Sequence, residues 1–201
     1  MTPLRYLALG DSYTIGESVA PEERFPAQTV QLLRQQGLTV SDPQIVAVTG
    51  WTTDELQQGI REAAINGTFD MVTLLIGVNN QYRGRDVDNY RTEFAALLHQ
   101  AIAFAGGRAG RVVVLSIPDW GVTPFAADRD RAAIAKEINV YNVANKAIAA
   151  DLGVHYLDIT PFTREAATDT SLVAADGLHP SGKDYARWAS ALSKILEKMF
   201  K

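Results

Sequence analysis

The chain contains no cysteine among its 201 residues. That absence removes disulfides, thiolate nucleophiles and cysteine-ligated metals together. It has only three histidines, His99, His155 and His179, with no zinc-type spacing among them, so no dedicated metal site is expected. It has no run of about 18 apolar residues, so no bilayer-spanning segment is expected. Lysines and arginines are not clustered and the formal charge is −4, which argues against a nucleic-acid groove. The amino terminus lacks a basic, then apolar, then small-residue pattern, and as written the chain reads as cytoplasmic. Its first strand begins almost at once, so a periplasmic or secreted home stays open if an export signal was removed. With 47% hydrophobic and 21% charged residues, what remains is the profile of a globular chain, long enough for one domain with a substantial core.

The hydrophobic pattern alternates between short apolar runs and longer amphipathic stretches. Arg5–Leu9, Gln44–Thr49, Met71–Ile76, Arg111–Ile117 and Val154–Leu157 read as strands, too short for helices and bounded by turn residues. Helical periodicity marks Pro26–Gln36, the stretch after a Thr52/Glu55 capping box, a long stretch from Tyr90 to Ala105, another from Ile134 to about Leu152, and a final helix from near Ser181. Five strands alternating with helices predict a single three-layer α/β/α domain over residues 1–201, with a parallel sheet and right-handed crossovers. A flavodoxin-like order 2-1-3-4-5 would bring the carboxyl ends of the first three strands together. The stretch 159–180 shows no clear element, and loops that long are usually functional or disordered.

Chemistry-bearing residues fall at the strand ends. Gly10-Asp11-Ser12 follows the first strand, at the sheet edge where α/β proteins bind ligands, and there a serine hydroxyl is well sited as a nucleophile. Asp and Ser after a strand also commonly do no more than close a turn. Asp176-Gly177-Leu178-His179-Pro180 lies in the long loop. An aspartate three residues before a histidine can meet it in a turn and fix its tautomer, and Pro180 restrains the histidine backbone. On local sequence these two could equally be a turn former and a residue leading into the helix. Gly50 after the second strand and Asn79 after the third supply an N–H and a side-chain amide, the donors an oxyanion needs; each is also an ordinary turn or loop residue.

Taken in order, Gly-Asp-Ser, a glycine after the second strand, Gly-x-Asn after the third and Asp-x-x-His before the last helix resemble the SGNH hydrolases, also called GDSL esterases and lipases. The resemblance covers essentially the whole chain. It implies Ser12 as nucleophile, His179 and Asp176 as base and acid, and an oxyanion hole from the Ser12 and Gly50 N–H groups and the Asn79 amide. It implies an ester hydrolase that needs no cofactor and acts on small acyl esters, acetylated sugars, thioesters or lysophospholipids. Asn80 stands where the family usually carries Asp; it keeps hydrogen bonding but loses a charge, which leaves the pairing of the usual Asp open and the oxyanion role of Asn79 untouched. Tyr13, Trp51, Tyr82, Arg83, Trp120 and Phe162 are expected to rim the crevice, since aromatic walls suit a small apolar group. Two other readings fit the same topology. One is a flavodoxin-like module binding a nucleotide or flavin, with Trp51 or Trp120 stacking on the ring; the other is an inactive relative that binds acyl groups or sugars. Oligomeric state is not legible.

Overall fold

The computed structural model describes residues 2–200. Five strands, β1 (Tyr6–Gly10), β2 (Gln44–Ala47), β3 (Met71–Leu75), β4 (Val112–Leu115) and β5 (His155–Leu157), form one sheet in the order β2-β1-β3-β4-β5. Every pairing is parallel, with Leu9 level with Val46 on one side and Leu74 on the other. β1, β3 and β4 are buried along their whole length, which is why they read as continuous Val, Leu and Ala runs without alternation.

The helices are α1 (Ser12–Ile15), α2 (Phe25–Gln35), α3 (Thr53–Glu62), α4 (Val78–Tyr82), α5 (Val87–Phe104), α6 (Arg131–Asp151), α7 (Thr160–Arg164) and α8 (Gly182–Lys198). The chain steps from β1 to β2 in one direction and from β2 through β5 in the other. Right-handed crossovers therefore put α2 on one face of the sheet and α3, α5 and α6 on the other. α2 indeed packs on α8, while α5 packs against both α3 and α6. Trp188 and Tyr185 of α8 meet Phe25 of α2 with ring centroids 6.0 and 6.3 Å apart, closing the first layer. Truncating a core side chain such as Leu74, which is fully buried, costs about 2–5 kcal/mol.

Two stretches outside the expected helices are partly helical. Residues 159–180 hold α7 and two single 3₁₀ turns, Glu165–Ala167 and Thr170–Leu172. These are too short to show periodicity, and one is set by the Asp169 side chain accepting from the Ser171 N–H. The polar stretch after β3 begins as α4, and α5 starts at Val87 because Asp86 caps the N–H groups of Asp88 and Asn89.

Candidate active site

Ser12 stands immediately beyond β1 in the first turn of α1. Asp11, fully buried, caps that turn by accepting the Tyr13 N–H at 3.0 Å. Gly10 is required by packing: a Cβ there would lie 2.1 Å from Thr14 Oγ1 and 2.5 Å from the Leu75 carbonyl oxygen. The strand can thus turn into α1 at the sheet edge only with glycine at its end. Burial pushes the Asp11 carboxyl up to about 7, against the pull of the Tyr13 N–H.

His179 arrives from the other end of the chain, 167 residues away. Its Nε2 lies 2.9 Å from Ser12 Oγ and its Nδ1 lies 2.6 Å from Asp176 Oδ2. An ionised carboxylate can only accept, so Nδ1 carries the proton and the Nε2 lone pair faces the serine hydroxyl. The bend holding this pair is local: Asp176 Oδ1 accepts the Leu178 and His179 N–H groups at 2.9 and 3.0 Å. Partial burial pushes the Asp176 carboxyl up, but the hydrogen bonds from His179, from the Leu178 and His179 N–H groups and from Ser18 prevail and hold it at about 2. The Tyr13 ring lies 5.0 Å from the imidazole, tilted by 55°, and supports its face.

Asn79 sits in α4, beyond β3. Its Nδ2 donates to the Trp51 carbonyl at 3.0 Å and makes a long 3.5 Å approach to Asp11 Oδ2. Gly50, just past β2, has φ +84°, a left-handed conformation that a side chain would strain. Its carbonyl accepts Arg83 Nη2 at 2.7 Å. Asn80, in place of the expected aspartate, is fully buried: its Oδ1 accepts the Thr53 N–H and its Nδ2 donates to Thr53 Oγ1. That hydroxyl spends its own proton on Glu93, so only a side chain that both accepts and donates satisfies it.

A cavity of about 150 Å³ opens beside Ser12, His179 and Asn79. Its walls are Tyr13, Val78, Tyr82, Trp120, Phe125 and Leu178. Tyr82 and Trp120 meet edge to face at 5.3 Å, and Phe125 lies 6.0 Å from Trp120. Trp120 is buried because its Nε1 donates to Gln81 Oε1 at 2.7 Å, and Gln81 is itself held by Glu137.

Of the six expected rim residues, Tyr13, Tyr82 and Trp120 line this cavity. Trp51, Arg83 and Phe162 do not, and these are corrections. The Trp51 ring rests on Gly59 of α3, where a Cβ would meet it at 2.0 Å, so only its carbonyl faces the site. Arg83 is spent bracing Glu55 and Gly50. Phe162 lies beneath the Arg187 guanidinium, 5.0 Å from its ring centroid. Sequence reading missed Val78, Phe125 and Leu178. Val78 and Leu178 are the unspecified positions inside Gly-x-Asn and Asp-x-x-His, which was the available signal; Phe125 carried none. His99 and His155 are exposed, away from this cavity. Among the described residues, no group of three or more His, Asp or Glu side chains could hold a metal ion, and no helix is long and apolar enough to cross a membrane.

The esterase EstA from Pseudoalteromonas sp., solved with monoethylphosphonate as inhibitor, is similar in structure. The TM-score is 0.74 at 16% identity, over 98% of each chain. A lipase/acylhydrolase from Enterococcus faecalis gives 0.74 at 20% identity, over 97% of this chain and 96% of that one. A mutant of Axe2, an acetyl-xylooligosaccharide esterase from Geobacillus, gives 0.71 at 20% identity, over 96% and 94%. At these identities the likeness establishes the fold. Comparison with curated proteins finds no match. The model of the GDSL-like Lipase/Acylhydrolase family, however, matches residues 8–187, nearly the whole chain and all four motifs. The chain belongs to the GDSL-like lipase/acylhydrolase family and is a carboxylic ester hydrolase.

Proposed function

We propose that the chain hydrolyses esters of small, apolar acyl groups through an acyl-enzyme on Ser12. The observation that carries this reading is the unbroken line from Ser12 Oγ to His179 Nε2 and from Nδ1 to Asp176 Oδ2. In the first half-reaction Ser12 Oγ attacks the ester carbonyl while its proton passes to His179 Nε2. The tetrahedral oxyanion takes hydrogen bonds from the second Asn79 Nδ2 hydrogen and from the Ser12 and Gly50 N–H groups. His179 then protonates the departing alkoxide, leaving the acyl group on Ser12. In the second half-reaction water gives a proton to His179 and attacks the acyl carbonyl, and the acid leaves as Ser12 regains its proton. Asp176 stays ionised throughout and stabilises the imidazolium.

The cavity supports a small acyl group. A volume of about 150 Å³ suits a group of roughly benzene size. Its walls bring no carboxylate, ammonium or guanidinium side chain. The named activities of the structurally similar proteins, a lipase/acylhydrolase and an acetyl-xylooligosaccharide esterase, support ester chemistry at such a site, and the second names a small acyl group. The test is turnover of a series of esters of rising acyl length by the parent chain and by Ser12→Ala. The expected result is a preference for chains of about six carbons or fewer and a loss of about 10⁴-fold or more in the variant. Near-parental turnover by Ser12→Ala would refute the nucleophile.

A further inference from the structure

Ser18 holds a left-handed backbone conformation, φ +63°. The other non-glycine residue with positive φ among those described is Ala64, φ +44°, which directly follows the C-cap of α3, where helices often end left-handed. Ser18 stands third in the turn Gly16–Val19, which the Val19 N–H closes on the Gly16 carbonyl at 3.4 Å, the position that type II turns hold at positive φ. α1 already ends in a left-handed Gly16, φ +71°, two residues earlier. Glycine or asparagine is the usual residue at such a position, so a serine there points to a further purpose.

That purpose is visible in its hydroxyl. Ser18 Oγ donates to Asp176 Oδ2 at 2.8 Å, across 158 residues of sequence. The same oxygen accepts His179 Nδ1, while Oδ1 takes the Leu178 and His179 N–H groups. Three of these four bonds come from within the Asp176–His179 bend. The fourth, from Ser18, comes from the segment that carries Ser12. Next to it, Glu17 accepts from the Thr49 hydroxyl, one residue ahead of Gly50. The Glu17–Ser18 turn thus reaches from the nucleophile's segment to both the acid and the oxyanion turn.

We infer that Ser18 is a positioning residue for hydrolysis: from its left-handed backbone it fixes Asp176 Oδ2 against His179 and ties the acid's loop to the nucleophile's. This rests on the Ser12–His179–Asp176 reading above. Without the Ser18 hydroxyl, Oδ2 answers to the imidazole alone. The carboxylate keeps its place through Oδ1 but loses its fixed plane, and its charge is concentrated on Nδ1–H, which favours the imidazolium.

The experiment measures kcat, KM and the pH profile of a short-chain ester for Ser18→Ala, Ser18→Gly and Ser18→Asn, with Tm alongside. Ser18→Ala and Ser18→Gly should each lower kcat about two- to tenfold at unchanged KM, the scale of one hydrogen bond to a partly exposed charge. Both should move the acid limb of the profile to higher pH. Ser18→Gly should do so without loss of Tm, since glycine relieves the backbone. Ser18→Asn, at ease in this conformation and carrying an amide donor, should recover most of kcat. An unchanged kcat and acid limb in Ser18→Gly, or activity that merely follows Tm across the three, would overturn the inference while Ser12→Ala remains inactive. Should Ser12→Ala stay active, the triad reading itself falls, and this inference with it.

Discussion

The two arms of the proposed site, acid–base and oxyanion, are finished to different degrees. On the acid–base arm every polar atom has its partner: Ser12 on Nε2, Nδ1 on Asp176, and both carboxylate oxygens filled. On the oxyanion arm the donors stand partly free, with Asn79 giving one hydrogen to the Trp51 carbonyl and the other only a long approach to Asp11. The difference follows from when each arm acts. A base must hold its tautomer before substrate arrives, whereas oxyanion donors gain their partner only as charge develops on the carbonyl. In the proposed mechanism the first arm serves the resting enzyme and the second the transition state.

The largest expected effect comes from breaking the acid–base arm while keeping its shape. Asp176→Asn can still be held by the Leu178 and His179 N–H groups but no longer commands the Nδ1 proton. Turnover should fall about 10⁴-fold, read as kcat on a short-chain ester. A loss below about tenfold would mean that His179 acts without it. The oxyanion arm should cost less. Asn79→Ala should lower kcat about 10²- to 10³-fold with little change in KM, because its donor is engaged mainly in the transition state. A rise in KM at constant kcat would instead place Asn79 in ground-state binding and erase the contrast between the arms.

Asp11 lies between the arms, touching Asn79 and capping the turn that carries Ser12, and its effect is the smallest. Its carboxyl ionises at about 7 in the fold against an ordinary 3.8, so between those values the folded state binds the extra proton. Stability from this group is therefore present at low pH and declines as pH rises from about 4 to 7. Asp176 has the opposite sign: held at about 2, it stabilises the fold above about 4 and loses that contribution as pH falls toward 2. Asp11→Asn should flatten the decline between pH 4 and 7, measured by urea unfolding, and leave the acid-side loss in place. A variant curve parallel to the parent's would show that Asp11 is ionised throughout.

The same contrast governs what could be read from sequence. Strand runs, helix periodicity and the order 2-1-3-4-5 were legible because each depends on local spacing and on the handedness of crossovers. That Ser12, His179 and Asp176 meet was legible because their motifs lie at strand and helix ends and the bend at Asp176 is local. Ser18 was not, since its partner is 158 residues away and only φ and a tertiary hydrogen bond mark it. The cavity wall was half legible. Trp51, Arg83 and Phe162 are aromatic or polar residues in the right loops, yet packing on Gly59, a brace to Gly50 and a cation above the ring turn them elsewhere. Which face a loop side chain chooses depends on neighbours distant in sequence. Asn80 shows the same: its amide is explained only by a Thr53 hydroxyl already committed to Glu93.

The proposed acceptor of the acyl group is Ser12 Oγ, activated by His179. A short-chain phosphonate ester carrying a good leaving group reports this directly, because attack leaves a stable tetrahedral adduct that peptide mass spectrometry can place. One adduct per chain is expected, on the peptide carrying Ser12, absent in Ser12→Ala and formed far more slowly in His179→Ala. An adduct on any other residue, or undiminished labelling of Ser12→Ala, would contradict it.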